Sequence, residues 1–149
     1  MRNIVLFDLD GTLADITHRR HHVEKADKKD ADWRAFYAAG VDDLVNLPVA
    51  AMFDVLRQSG RQVWIVSGRS DEVKAETLAW LSNACLVPDR LLMREANNHE
   101  PDVKLKRRWI LDGTIPADQV LCVFDDRASV VDMWREEGLA CFQVARGDF

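Results

Sequence analysis

Short apolar runs recur along the chain at 3–7, 62–66, 90–93, 120–124 and 140–144. Each is too short for a helix and rich in Val, Ile, Leu or Phe, the profile of strands buried on both faces. The intervening segments carry helical spacing. Pro48 suits the first turn of a helix over 48–59 that stops at Gly60, and the Asp71-Glu72 pair suits the N-terminus of one over 71–83. Further helices are predicted over 102–111 and 128–137, the last ahead of Gly138. Such alternation predicts an α/β fold, a three-layer Rossmann-like parallel sheet with helices on both faces.

Segment 14–47 breaks the pattern. It is rich in charge, holds His18, His21 and His22, and contains one short amphipathic piece at 33–39. We read it as a small cap inserted after the first strand of a single domain spanning 1–149. Loops at the carboxyl ends of parallel strands bind ligands in folds of this type, so the cap is expected to overhang the site.

Composition narrows the class. At 149 residues the chain has one domain's worth of sequence, and its net charge of −5 argues against wholesale wrapping of nucleic acid. Cys85, Cys122 and Cys141 show no C-x-x-C spacing, which predicts free thiols and a reducing, cytoplasmic setting. The first apolar run breaks at Asp8, so neither a signal peptide nor a membrane span is expected.

That break is the chemically informative point. In Asp8-Leu9-Asp10-Gly11-Thr12 the two acids are two positions apart in extended chain, so both leave on one face at a strand end, and Gly11 lets the backbone turn away. Adjacent carboxylates repel unless a positive group neutralises them, and a hard divalent cation is the natural candidate. Other strand ends carry Ser67-Gly68-Arg69 and Asp125-Asp126-Arg127, and the helix between them opens with Lys104, Lys106, Arg107 and Arg108. Asp126 can alternatively cap the following helix, Ser67 can be a turn residue, and Lys104 competes with Lys106.

These residues, in this order, resemble the four motifs of the haloacid-dehalogenase-like phosphatase superfamily. Within it, the Val66-Ser67-Gly68-Arg69, Leu92-Met93-Arg94, Asp102-to-Lys106, Phe124-Asp125-Asp126-Arg127, Met133-Trp134-Arg135 and Val144-Ala145-Arg146-Gly147-Asp148-Phe149 elements are similar to the 3′-phosphatase domain of phage polynucleotide kinases and its stand-alone relatives. The resemblance implies a phosphomonoesterase with Asp8 as nucleophile, Asp10 as general acid and base, and Ser67 and Lys106 completing the catalytic set. It further implies Mg2+ held by Asp8, Asp10 through its backbone carbonyl, Asp125 and Asp126. Thr12, Arg69, Arg94 and Arg127, with Arg19 and Arg20 from the cap, are the expected substrate-binding residues, since guanidinium groups suit phosphate. The implied substrate is a phosphomonoester on a nucleic-acid 3′ end or a nucleotide. A 5′-nucleotidase or small-molecule phosphatase, a phosphoacceptor module and a silent binding domain are the alternatives. No glycine-lysine loop of the kinase type occurs in this sequence. Trp33, Phe36 and Tyr37 can close over a base by stacking, but Trp33 and Phe36 are expected chiefly to anchor the cap to the body, and Trp64, Trp80, Trp109 and Trp134 to pack in the core.

Overall fold

A computed structural model describes residues 1–27, 29 and 31–147, so Asp148 and Phe149 of the terminal motif lie outside the described residues. In chain order the elements are β1 (Ile4–Phe7), β2 (Ala14–Asp15), α1 (Trp33–Ala38), β3 (Leu44–Val45), α2 (Leu47–Gln58), β4 (Gln62–Ser70), α3 (Lys74–Asn83), β5 (Arg90–Arg94), α4 (Asp102–Leu111), β6 (Val120–Asp125), α5 (Ala128–Glu136) and β7 (Cys141–Gln143).

Five strands form a parallel sheet in the order β5-β4-β1-β6-β7. The β1 side chains alternate between two cores. Val5 and Phe7 join Val49, Phe53, Trp80 and Leu81 on the α2–α3 side, while Ile4 and Leu6 join Leu105, Trp109, Val130 and Trp134 on the α4–α5 side. This is the expected three-layer α/β architecture, and it explains why β1 is buried at all four residues. Because β4 and β6 flank β1 on opposite sides, the crevice of the fold opens at the carboxyl end of β1, where Asp8 follows.

The boundary of β4 departs furthest from expectation. β4 continues four residues past position 66 to Ser70, and its pairing with β5 is irregular between Val66 and Ser70. Ser67-Gly68-Arg69 therefore extends the sheet edge over the crevice rather than turning away from it.

In the 14–47 segment, β2 and β3 pair antiparallel through Ala14↔Val45 and Asp15↔Leu44, so the outgoing and returning chain are joined at the base. The Asn46 amide side chain donates to the Thr12 carbonyl at 2.8 Å, a further tie at the same point. Above it lie a 3-10 turn over Thr17–His22 and α1, whose N-cap Asp32 accepts from the Ala35 N–H at 2.9 Å. Among the described residues, no helix is long and apolar enough to cross a membrane.

Candidate active site

Asp8 leaves the end of β1 and is 6% exposed. Its Oδ1 accepts from Lys106 Nζ at 2.8 Å, and the same ammonium lies 3.2 Å from Asp125 Oδ2 and 3.4 Å from Asp102 Oδ2. Helical spacing explains this choice of lysine: positions 102 and 106 share one face of α4, while Lys104 points elsewhere and is exposed. Burial works against the Lys106 charge, but Asp102, Asp125 and Asp8 outweigh it and hold the ammonium protonated well above its ordinary range.

Asp125 ends β6 and Asp126 follows. Asp125 is fixed on both oxygens, with Trp134 Nε1 donating to Oδ2 at 3.0 Å and the Asp126 N–H donating to Oδ1 at 2.9 Å. Asp126 does not cap α5, whose N-cap is Arg127 without a side-chain cap bond; its carboxylate turns towards Asp8 and Thr12. Gly11 makes room for it. Gly11 adopts φ +82°, and a Cβ there would stand 2.1 Å from Asp126 Oδ2.

The terminal motif buttresses this turn. The Val144 N–H donates to the Asp125 carbonyl at 3.0 Å, Gln143 Nε2 to the Asp126 carbonyl at 3.0 Å, and the Ala128 N–H to the Gly147 carbonyl at 2.7 Å. A Cβ on Gly147 would meet the Asp126 carbonyl at 2.1 Å, so that close approach requires glycine.

Carboxylate oxygens of Asp8, Asp125 and Asp126 lie within 4.8 Å of one another. Burial and then Asp125 push the Asp8 carboxyl well above the usual carboxylate range, and the same causes push Asp126 up to about 6. With Asp102 alongside, four acids share the Lys106 charge, so the cluster is short of positive charge and made of the oxygen ligands that a hard divalent cation prefers. These residues fit Mg2+.

Asp10 points away from that cluster. Its carboxylate receives Arg69 Nε at 2.9 Å and Arg69 Nη2 at 2.7 Å, and it also pairs with Arg19. Both guanidinium groups bind Asp43 as well, at 2.6 Å from Arg19 and 3.0 Å from Arg69, and His18 Nε2 lies 2.7 Å from the other Asp43 oxygen. Burial alone would raise the Asp10 carboxyl, but Arg69 and Arg19 outweigh it and hold it below the usual carboxylate range.

The expected substrate-binding residues separate by position. Arg19, expected to bind substrate from the cap, is instead fully buried, because its guanidinium bridges Asp10, Asp43 and the Phe36 carbonyl and stacks over the Phe36 ring. Arg69 is 2% exposed and positions Asp10 from beneath. Arg20 pairs with Glu24 and does not line the cavity. Arg94 and Arg127 do line it, Arg94 also donating to the carbonyls of Gly68 and Glu100. Thr12 Oγ1 makes long bonds to Asp8 at 3.3 Å and Asp126 at 3.5 Å. Ser67 is buried beside the cavity and accepts from the Arg69 N–H at 3.1 Å.

Asp43 and the wall formed by Asn97, Asn98, His99 and Glu100 escaped the sequence reading, and nothing local marks either. Trp134 packs in the core as expected, but a buried indole N–H needs a partner, and the partner is Asp125. Arg19→Ala is expected to lower stability by ~3–5 kcal/mol, because it strips a buried charge from Asp10 and Asp43. Thermal unfolding checks this, and a loss below about 1 kcal/mol would reject the buried network.

The cavity above these groups measures about 470 Å³, within the range of small-molecule sites. Its floor is Asp8, Asp10, Asp125 and Asp126; Trp33, Phe36 and Tyr37 line one side and residues 97–102 another.

Comparison with known proteins agrees with this geometry. A chain of the solved Pnkp1/Rnl/Hen1 RNA repair complex is 34% identical, with TM-score 0.82 over 97% of this chain and 43% of that one. A second structure of that complex gives 34% identity and TM-score 0.83 over 99% of this chain and 47% of that one. This chain thus spans less than half the length of those relatives. CbbY from Rhodobacter sphaeroides, solved with phosphate, shares the fold at 16% identity and TM-score 0.64, over 100% of this chain and 88% of that one. The family model for the polynucleotide kinase PNKP phosphatase domain matches residues 2–149, and this chain, a haloacid-dehalogenase-like phosphatase by fold and sequence, belongs to that family.

Proposed function

We propose that the chain is a Mg2+-dependent phosphomonoesterase that removes 3′-phosphates from nucleic-acid ends through an aspartyl-phosphate on Asp8. The observation that carries the reading is the Asp8 carboxylate at the cavity floor, held by Lys106 and set against Asp125 and Asp126. Asp8 attacks phosphorus, forming an O–P bond as the bond to the 3′-oxygen breaks, and Asp10 supplies that oxygen with a proton. Water deprotonated by Asp10 then attacks phosphorus, releasing inorganic phosphate and restoring Asp8.

Arg19 and Arg69 favour the ionised form of Asp10, which suits the second step. The charge of an arriving phosphoryl group opposes them and raises Asp10 towards its acid form. Lys106, with the Ser67 hydroxyl, stabilises charge on the phosphoryl oxygens, and Arg94 and Arg127 reach the substrate from the rim. Asp8, Asp125, Asp126 and the Asp10 backbone carbonyl would hold Mg2+, which when bound neutralises the repulsion between these acids and an anionic substrate. Relatives solved in an RNA repair complex support a nucleic-acid end as the substrate.

Ranking kcat/KM for phosphate release tests the proposal across 3′-phosphorylated oligonucleotides, 3′- and 5′-mononucleotides and sugar phosphates. A 3′-phosphorylated end is expected to lead, and a 5′-mononucleotide preferred by about a hundredfold would overturn the assignment. EDTA should silence turnover and Mg2+ restore it. Protons and the ion compete for Asp8 and Asp126, both pushed up and Asp126 to about 6, so the half-activating Mg2+ concentration should rise as pH falls through that value. No change across that range would remove Asp126 from the ligand set.

A further inference from the structure

Trp33 stands out among the cavity residues. It is 44% exposed although it belongs to an aromatic cluster, with ring centroids 5.7 Å from Phe36 and 5.9 Å from Tyr37. Phe36 is the member that anchors the cap: it is 4% exposed and lies under the Arg19 guanidinium. Tyr37 is half-buried and donates to the Gly68 carbonyl at 3.0 Å, which ties α1 to the end of β4. Anchoring by these two leaves Trp33 presenting ring surface to the cavity.

On the 97–101 side, the Asn98 amide is committed to Glu100, donating to its carboxylate at 2.9 Å and accepting its N–H at 2.9 Å. Asn97, at φ +64°, and His99 are exposed there. The cavity therefore offers an aromatic face on one side, the exposed Asn97 and His99 on another, and an anionic floor suited, with its ion, to a phosphoryl group.

We propose that Trp33 is a stacking platform for the base of the nucleotide that carries the 3′-phosphate, making the cavity a subsite for that terminal nucleotide. This rests on the 3′-end reading given above. Every base has a π-face, so stacking discriminates between a base and none far more than between one base and another. Arg34, at the same end of α1, lines the cavity with its side chain 87% exposed and 3.7 Å from Glu72, an exposed pairing that a phosphodiester can displace, so it supplies positive charge for the adjoining phosphodiester.

The test uses the full chain with Mg2+ and two single-stranded oligonucleotides bearing a 3′-phosphate, one with a normal terminal nucleotide and one whose terminal nucleotide lacks its base. The parent is expected to prefer the base-bearing end in kcat/KM by roughly 5- to 100-fold, mainly through KM. In Trp33→Leu, which keeps apolar bulk but has no ring, that preference should collapse to within about twofold, while Trp33→Phe retains most of it. The ratio is read within each variant, so a partly unfolded sample does not distort it. Equal loss on both substrates, or Leu restoring the preference as well as Phe, would make Trp33 a packing residue and overturn the inference. If the parent handles base-bearing and abasic ends alike, the subsite falls and the 3′-phosphatase reading stands. If it turns over 5′-mononucleotides but neither oligonucleotide, both fall.

Discussion

Asp8→Asn is expected to reduce phosphate release by at least ~10³-fold while the protein stays folded, since it removes the attacking oxygen but keeps the side-chain shape. The fold should tolerate it. Burial and Asp125 already push the Asp8 carboxyl towards its neutral form, so a neutral amide relieves repulsion while giving up the 2.8 Å ion pair with Lys106. These effects oppose one another, and the melting temperature should shift by no more than a few degrees, the equivalent of about 1 kcal/mol. Single-turnover assays and thermal unfolding read the two quantities separately. Activity within about tenfold of the parent would rule out Asp8 as nucleophile.

Lys106→Met should damage both activity and stability. The ammonium is fully buried and within 3.4 Å of Asp8, Asp102 and Asp125, so its removal leaves three acids facing one another without a protein cation between them. Breaking a buried pair from one side costs about 3–5 kcal/mol, and the loss should be largest without divalent ion, because Mg2+ restores part of the missing charge. Lys106→Arg should rescue little: a planar fork cannot replace a point charge shared by three carboxylates. Lys104→Ala should leave both properties near the parent, since that side chain is exposed on another face of α4. Unfolding curves with EDTA and with Mg2+ decide the matter. A Lys106→Met protein as stable as the parent in EDTA would reject this charge balance.

The terminal stretch shows how a motif can be legible while its purpose is not. Val144 to Gly147 was recognisable as a pattern, yet only the structure reveals that its backbone braces the Asp125-Asp126 turn, with Gly147 pressed against the Asp126 carbonyl. The extended β4 is a similar case. Ser67-Gly68-Arg69 reads locally as a turn, but pairing of Ser70 with Arg94 carries the strand on.

What the sequence determined by itself is the alternation of strands and helices and the projection of Asp8 from a buried strand. Both rest on periodicity and turn chemistry acting over a few residues, which do not need the rest of the molecule. The tertiary structure alone decided that Arg19 and Arg69 lie beneath the site rather than at its mouth, that Asp43 holds them there, and that Trp33 stays exposed in the cavity wall while Phe36 is buried against Arg19. An arginine carries the same charge and spacing in the sequence whether it meets solvent or a buried carboxylate. Which it meets is settled by a residue dozens of positions away, because burying a charge is tolerable only where the fold brings its partner opposite.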